Sequence, residues 1–212
     1  MSRRRLQALA LALPAPLAVA ALTGKGAGIV LAQSSASTPE ADGTPTLAPT
    51  PTCADADDLE TTLEETEGPY YTPDSPERTS LLEEGMAGTV LRLSGYVYAS
   101  SCQPVANALI DFWQADDAGV YDNEGYRLRG HQFTDDEGRF ELETIVPGLY
   151  PGRTRHIHVK VQAPNQPVLT TQLYFPDTPE NDEDGIFDPS LVIDIAEADD
   201  ESQQGYFTFV VA

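Results

Sequence analysis

From Gly88 onward, apolar and polar positions alternate with a period of two, as in Val90-Leu91-Arg92-Leu93, Tyr96-Val97-Tyr98 and Ala108-Leu109-Ile110-Asp111-Phe112-Trp113. Similar runs follow at 139–145, 155–162, 168–175, 191–195 and 206–211. Successive side chains of a strand leave opposite faces, so each run predicts a strand with one face in a core. Asp122-Asn123-Glu124-Gly125 and Asp135-Asp136-Glu137-Gly138 supply turn residues that tolerate positive φ. Pro104, Pro147, Pro164 and Pro167 stand at run edges, where a missing N–H removes no ladder hydrogen bond. Seven or eight short strands without a convincing amphipathic helix predict an all-β chain, folded as a single β-sandwich of mostly antiparallel strands. An N-terminal arm precedes it. Gly68-Pro69 breaks any helix there, and Tyr70 and Tyr71 give the arm apolar surface to bury against the sandwich.

Upstream of the arm the pattern changes. Residues 1–32 open with Ser2-Arg3-Arg4-Arg5, continue through an Ala/Leu-rich stretch and reach Val30-Leu31-Ala32, which suits signal-peptidase cleavage. Pro14 and Pro16 interrupt an apolar run too short to span a bilayer, so residues 1–32 are expected to be an export signal, with no membrane-spanning segment in the mature chain. The paired arginines fit a twin-arginine signal as well as an ordinary secretory one. The expected location is therefore periplasmic, extracellular or at the cell surface. Residues 33–52 are rich in Ser, Thr and Pro and lack aromatic residues, too little apolar surface to offset the entropy of ordering, and read as a flexible linker. Residues 53–212 are left as one folded domain with a single core. In an oxidising compartment Cys53 and Cys102, the two cysteines of the chain, are expected to pair and pin the arm to the sandwich, provided that their Cα atoms lie close enough.

The formal net charge is -22, and without residues 1–32, which carry four basic and no acidic groups, it becomes -26. Nucleic acid and anionic membrane surfaces are poor partners for such a chain. Three of the eight cations that then remain, Arg153, Arg155 and Lys160, cluster around two of the three histidines, which suggests an anionic ligand at that point. The acidic loop Glu180–Gly185 has alternating carboxylates before a glycine. It places Leu191 where a calcium-binding EF-hand loop needs glutamate, so no dedicated calcium site is expected.

His156 and His158 are two residues apart within Arg155-His156-Ile157-His158-Val159-Lys160-Val161. On a strand both imidazoles leave the same face, roughly 7 Å apart at Cα, a spacing that one metal ion can bridge. Ile157, Val159 and Val161 take the opposite, apolar face. Taken alone, a His-x-His is as readily an ordinary polar strand face as a metal site.

Five ordered motifs change that weighting: Thr66-Glu67-Gly68-Pro69-Tyr70-Tyr71, Trp113-Gln114-Ala115 with Tyr121, Pro147-Gly148-x-Tyr150, Arg153-x-x-His156-Ile157-His158, and Thr171-Gln172-Leu173-Tyr174-Phe175. Together they resemble the catalytic domain of the intradiol ring-cleavage dioxygenases, the family of protocatechuate 3,4-dioxygenase and catechol 1,2-dioxygenase, and its short exported members in particular. The resemblance implies one iron(III) per chain, with Tyr121 as axial tyrosinate, Tyr150 as equatorial tyrosinate, and His156 and His158 as neutral imidazole ligands. Iron(III) is a hard cation suited to phenolate and imidazole. The resemblance further implies a small aromatic diol as substrate, O₂ as co-substrate and cleavage between the two hydroxylated carbons to a muconate-type product. Tyr121 would act as a base as it leaves the metal, and Arg153 would stabilise charge developing on the ring. Gln172, Pro69 and Tyr70 would contact substrate. Arg155 stands where many relatives have a small residue, and the helical dimerisation region of catechol 1,2-dioxygenases has no counterpart in the sequence, so a homo-oligomer is left open. His131 matches no ligand position and reads as structural, and Trp113 as core.

A second class competes. Gly95-Tyr96-Val97, Pro104-Val105-Ala106-Asn107-Ala108 and Thr134-Asp135-Asp136-Glu137-Gly138-Arg139-Phe140 also resemble transthyretin-like and carboxypeptidase-regulatory-like modules, non-enzymatic β-sandwiches in which any metal site would be vestigial.

Overall fold

The computed structural model describes residues 59–198 and 200–212, so the expected export signal, the linker and the Cys53 end of the expected disulfide lie outside the described residues. Eight strands form: β1 Val90–Ala99, β2 Leu109–Trp113, β3 Arg129–Phe133, β4 Arg139–Ile145, β5 His156–Gln162, β6 Leu169–Tyr174, β7 Asp194–Glu197 and β8 Gln203–Val211. They make two four-stranded sheets, ordered β4-β1-β8-β7 and β3-β2-β5-β6. Every neighbouring pair is antiparallel except β1 with β8. The all-β sandwich predicted by the alternating pattern is the observed fold.

The inner faces meet as period two requires. Leu91, Leu93 and Val97 of β1 are buried with Ile110 and Phe112 of β2 and Ile157, Val159 and Val161 of β5 in one continuous core. Burying each such aliphatic side chain contributes about 1.5–3 kcal/mol. Because the odd residues of β5 fill this core, His156, His158 and Lys160 project from the outer face of their sheet. That face is covered by the N-terminal arm. Glu65 N donates to Thr170 O at 2.8 Å, Thr171 Oγ1 to Leu63 O at 2.8 Å and Gln172 Nε2 to Thr66 O at 2.9 Å, all three holding the arm to β6.

Two segments differ from expectation. β3, absent from the alternating pattern, runs through Arg129-Gly130-His131-Gln132-Phe133, and the arm pairs with its free edge at Arg129 and His131. Arg78 N donates to His131 O and His131 N to Pro76 O, while the His131 ring meets Ser75 O at 2.7 Å through Nδ1, which gives that histidine the structural role expected of it. The run 191–195 divides. Asp188 accepts from Ser190 N and Pro189 opens a single 3-10 turn, Pro189–Leu191, so Leu191 and Ile193 reach the core from a turn and a connection, and β7 begins only at Asp194.

Candidate metal centre

β5 delivers the two histidines side by side. His156 Nε2 lies 3.2 Å from His158 Nε2 and 3.1 Å from Tyr121 Oη. Across the ring, His156 Nδ1 meets the Thr154 carbonyl at 2.6 Å. A carbonyl only accepts, so Nδ1 carries the proton and Nε2 is left as a lone pair. Burial lowers the His156 pKa to about 4 and that of His158 well below its ordinary value, so both rings are neutral near pH 7, the form in which a metal takes them. His158 stacks on Trp113, with centroids 4.7 Å apart and planes at 5°, and its Nδ1 is buried without a partner. Trp113 is buried at 1% exposure, as expected of a core residue, and also forms one wall of the histidine site.

Tyr121 and Tyr150 arrive on two loops that lock together. Asp116 Oδ1 accepts the amides of Ala118 and Val120, and Asp116 O accepts those of Gly119 and Gly148. At Gly119, φ is +78°, and a Cβ there would lie 2.1 Å from Leu149 O. At Gly148 a Cβ would lie 2.3 Å from Asp117 O. Only glycines allow this approach, which sets the Tyr121 and Tyr150 rings 5.9 Å apart, edge to face. Gly148→Ala is expected to push the loops apart, costing about 1–3 kcal/mol as an overpacking substitution. Thermal unfolding would register the loss, and metal uptake would fall with it.

The arm closes the site from above. The Tyr70 ring stacks on Tyr121 at 4.6 Å, and its hydroxyl lies 2.9 Å from that of Tyr150. At Gly68 a Cβ would sit 3.3 Å from His158 Cε1, so the arm touches the histidine directly. Pro69 is exposed beside Tyr70. Sequence reasoning missed Arg129, which is 1% exposed and makes no ion pair among the described residues. Its guanidinium donates to Tyr70 O at 2.6 Å and twice to Asp122 O, at 3.0 and 2.6 Å, bracing the backbone on both sides of the Tyr70–Tyr121 stack.

Arg153 donates to Gln172 Oε1 at 2.7 Å and to Asp184 Oδ2 at 2.7 Å, and Gln172 stands opposite His158 in the β5–β6 register. Lys160 pairs with Glu67 at 2.7 Å, and Arg155 donates to Pro147 O. Two of the three clustered cations are thus already paired with carboxylates of the chain, which weakens the expectation of an anionic ligand drawn from their clustering. Asp184 comes from the acidic loop, turned inward to a cation of the chain itself.

The donors fit a hard metal ion. Burial pushes the Tyr121 phenol up, with Arg153 and then Arg129 opposing it, so an un-metallated Tyr121 stays protonated near pH 7. The one lone pair of His156 Nε2 can accept from Tyr121 Oη or from His158 Nε2 but not from both. A cation among them would satisfy all three atoms and fix the tautomer of His158, which no hydrogen bond to Nδ1 fixes. Among the described residues no cluster of three or more His, Cys, Asp or Glu forms a metal site, so the donor set is phenol and imidazole rather than the carboxylate or thiolate set typical of zinc.

Known proteins carry the same domain. A family model described as Dioxygenase, the Dioxygenase_C domain, matches residues 66–209. Catechol 1,2-dioxygenase of Candida albicans is 30% identical over 148 residues, covering 57% of this chain and 49% of the relative. Hydroxyquinol 1,2-dioxygenase of Rhizobium sp. is 28% identical over 162 residues, 63% of this chain and 55% of the relative. The chain thus spans about half the length of these curated relatives. Among solved structures, the dioxygenase domain of a dioxygenase carbohydrate-binding protein fusion from the cellulolytic bacterium Streptomyces sp. SirexAA-E is 55% identical, with a TM-score of 0.70 over 72% of this chain and 98% of that one. 3-Chlorocatechol 1,2-dioxygenase of Rhodococcus opacus is 29% identical, with a TM-score of 0.64 over 70% of this chain and 71% of that one. The match over most of the chain, on a sandwich whose loops bring two tyrosines to a His-x-His strand, places the chain in the intradiol ring-cleavage dioxygenase family.

Proposed function

We propose that this chain is an exported iron(III) enzyme that cleaves a small aromatic diol with O₂ between the two hydroxylated carbons, giving a muconate-type product. One iron per chain would be held by Tyr121, Tyr150, His156 and His158. The observation that carries the reading is the convergence of Tyr121 Oη, His156 Nε2 and His158 Nε2 within 3.1–3.2 Å of their neighbours in a buried pocket. Iron(III) held there would supply Lewis acidity that favours the ionised diol and activates it toward O₂. The chain's own groups do the rest. Thr154 O keeps the His156 proton on Nδ1. Tyr121, held as tyrosinate once a metal is bound, would accept a proton from the incoming diol at Oη. The guanidinium of Arg153, held against Gln172, presents a fixed positive charge to the electron-rich ring. Tyr70 and Pro69 form the lip across which the substrate enters, and Arg129 keeps Tyr70 stacked on Tyr121.

Residues 1–32 as export signal, residues 33–52 as tether, residues 53–212 as catalytic domain and a Cys53–Cys102 disulfide complete the proposal. The setting outside the cytoplasm rests on the export-signal pattern of residues 1–32, and plant-derived diols as substrates follow from that setting together with the family. The reading of a non-enzymatic module is disfavoured, since a binding module has no use for the four donors.

The test is a visible absorption spectrum of the iron-loaded chain, followed by catechol added without oxygen. A tyrosinate-to-iron(III) charge-transfer band that shifts with catechol supports the reading; a colourless chain that takes up no iron on reconstitution refutes it. A second expected result separates binding from chemistry. Arg153→Ala should keep the iron and its colour but lose about 10²–10³-fold in kcat, the size seen when one preorganised charge-stabilising donor is removed. Undiminished turnover in that variant would remove Arg153 from the mechanism.

A further inference from the structure

The acidic loop Glu180–Gly185 and its one inward-facing carboxylate have no part in the chemistry above. The Asp184 side chain is only 2% exposed. One of its oxygens, Oδ2, accepts both Arg153 Nε at 2.7 Å and the Thr154 amide at 2.9 Å, while Oδ1 accepts Ile186 N at 3.1 Å. Thr154 is held again by its own hydroxyl, which meets Asn181 Oδ1 at 2.5 Å, and Asn181 Nδ2 donates to Phe175 O at the end of β6. Two hydrogen-bonded chains diverge from this carboxylate. One runs through Thr154, whose carbonyl takes the His156 Nδ1 proton. The other runs through Arg153 to Gln172 Oε1, and from Gln172 Nε2 to Thr66 O in the arm.

Arginine has many rotamers, and a guanidinium beside a pocket open to substrate would sample them unless its fork were gripped from both sides. Here Nε is taken by Asp184 and the NH₂ group by Gln172, which fixes both the plane and the direction of the group. We propose that Asp184 is a positioning residue whose task is to aim Arg153 at the reacting ring, and that the acidic loop serves this clamp rather than a cation from solution. The Thr154 contact has a lesser part, because Thr154 is also held through its hydroxyl by Asn181. The inference rests on the catalytic reading of Arg153, and its test includes a measurement that needs no iron.

In the iron-free full chain, Arg153 Nε–H should appear as a protected, slowly exchanging side-chain resonance, identified by its loss in Arg153→Ala and absent in Asp184→Ala. In the iron-loaded enzyme, Asp184→Ala should keep iron stoichiometry and the charge-transfer band while kcat falls about 10–100-fold, the usual effect of losing a partner that orients a functional group. Asp184→Asn, which retains an acceptor for Thr154 without the charge, should fall similarly. In an Arg153→Ala background, Asp184→Ala should lower kcat by less than about 3-fold, because both substitutions remove the same interaction. A multiplicative loss in the double variant, iron loss in Asp184→Ala, or wild-type turnover with an unprotected Arg153 Nε–H would each overturn the assignment. If the wild-type chain binds no iron while Arg153 Nε–H protection still depends on Asp184, the catalytic reading fails and the clamp stands.

Discussion

His158→Ala is expected to yield a folded chain that takes up no stoichiometric iron(III) and cleaves catechol at least ~10³-fold more slowly. The magnitude follows from ligand count. Losing a residue that merely orients a ligand costs about 10–100-fold in affinity or activity, and losing one of four ligands must exceed that. Geometry makes rescue from nearby side chains hard. Arg153 and Lys160 are cations, Gln172 is bound at both ends by Arg153 and Thr66, and among the described residues no acidic side chain forms an ion pair with His156 or His158. The fold should survive, because His158 projects from the outer face of β5 while Ile157 and Val159 carry the core contacts. The substitution gives up the stacking on Trp113 and the 3.2 Å contact with His156, but it also removes a buried nitrogen with no partner. The two effects offset, and the iron-free variant should unfold within a few degrees of the iron-free parent. Metal analysis, the visible spectrum and thermal unfolding together check the result. Full iron occupancy in this variant would remove His158 from the ligand set.

That prediction rests on a part of the site legible before any coordinates, since a His-x-His alternating with Ile and Val needs only the period of a strand. Tyr121 and Tyr150 are different. Both sit on loops with no periodicity, so they were visible only through motif resemblance, and their convergence depends on backbone contacts around Gly119 and Gly148 that no hydropathy pattern records. β3 escaped detection for a related reason. Arg129 and His131 lie in a stretch without alternating apolar and polar positions, yet both are held by an arm from more than fifty residues upstream, through Arg78 and Ser75. In the same way the sequence excluded a calcium loop at residues 180–185 but offered no partner for its carboxylates, and the partner of Asp184 proved to be Arg153, 31 positions earlier in the chain. In each case sequence pattern identified what lies on a strand face and missed polar groups satisfied by segments far away in the chain.

Arg129→Met should be the most destabilising single change at the site, although Arg129 touches no proposed ligand side chain. The guanidinium is buried at 1% exposure and gives three hydrogen bonds to two carbonyls, those of Tyr70 and Asp122. Methionine fills similar volume but has no donor, so both carbonyls are left buried and unpaired at about 1–3 kcal/mol each. Relief from desolvating the cation, which lowers the pKa of Arg129, offsets part of this, and a net loss of about 2–4 kcal/mol is expected. For a domain of this size that corresponds to a fall of roughly 5–15 °C in Tm. Arg129→Lys should recover only part of it, because an ammonium group has the charge but not the planar fork that reaches both carbonyls. The site should respond as well. Without the brace, Tyr70 is free to leave the Tyr121 ring, now 4.6 Å away, and the lip over the metal loosens, so KM for catechol should rise before kcat falls. Calorimetry on the iron-free chain and steady-state kinetics on the loaded one separate the two effects. A Tm within a degree or two of the parent would show that the carbonyls find water instead, and that Arg129 is not the brace.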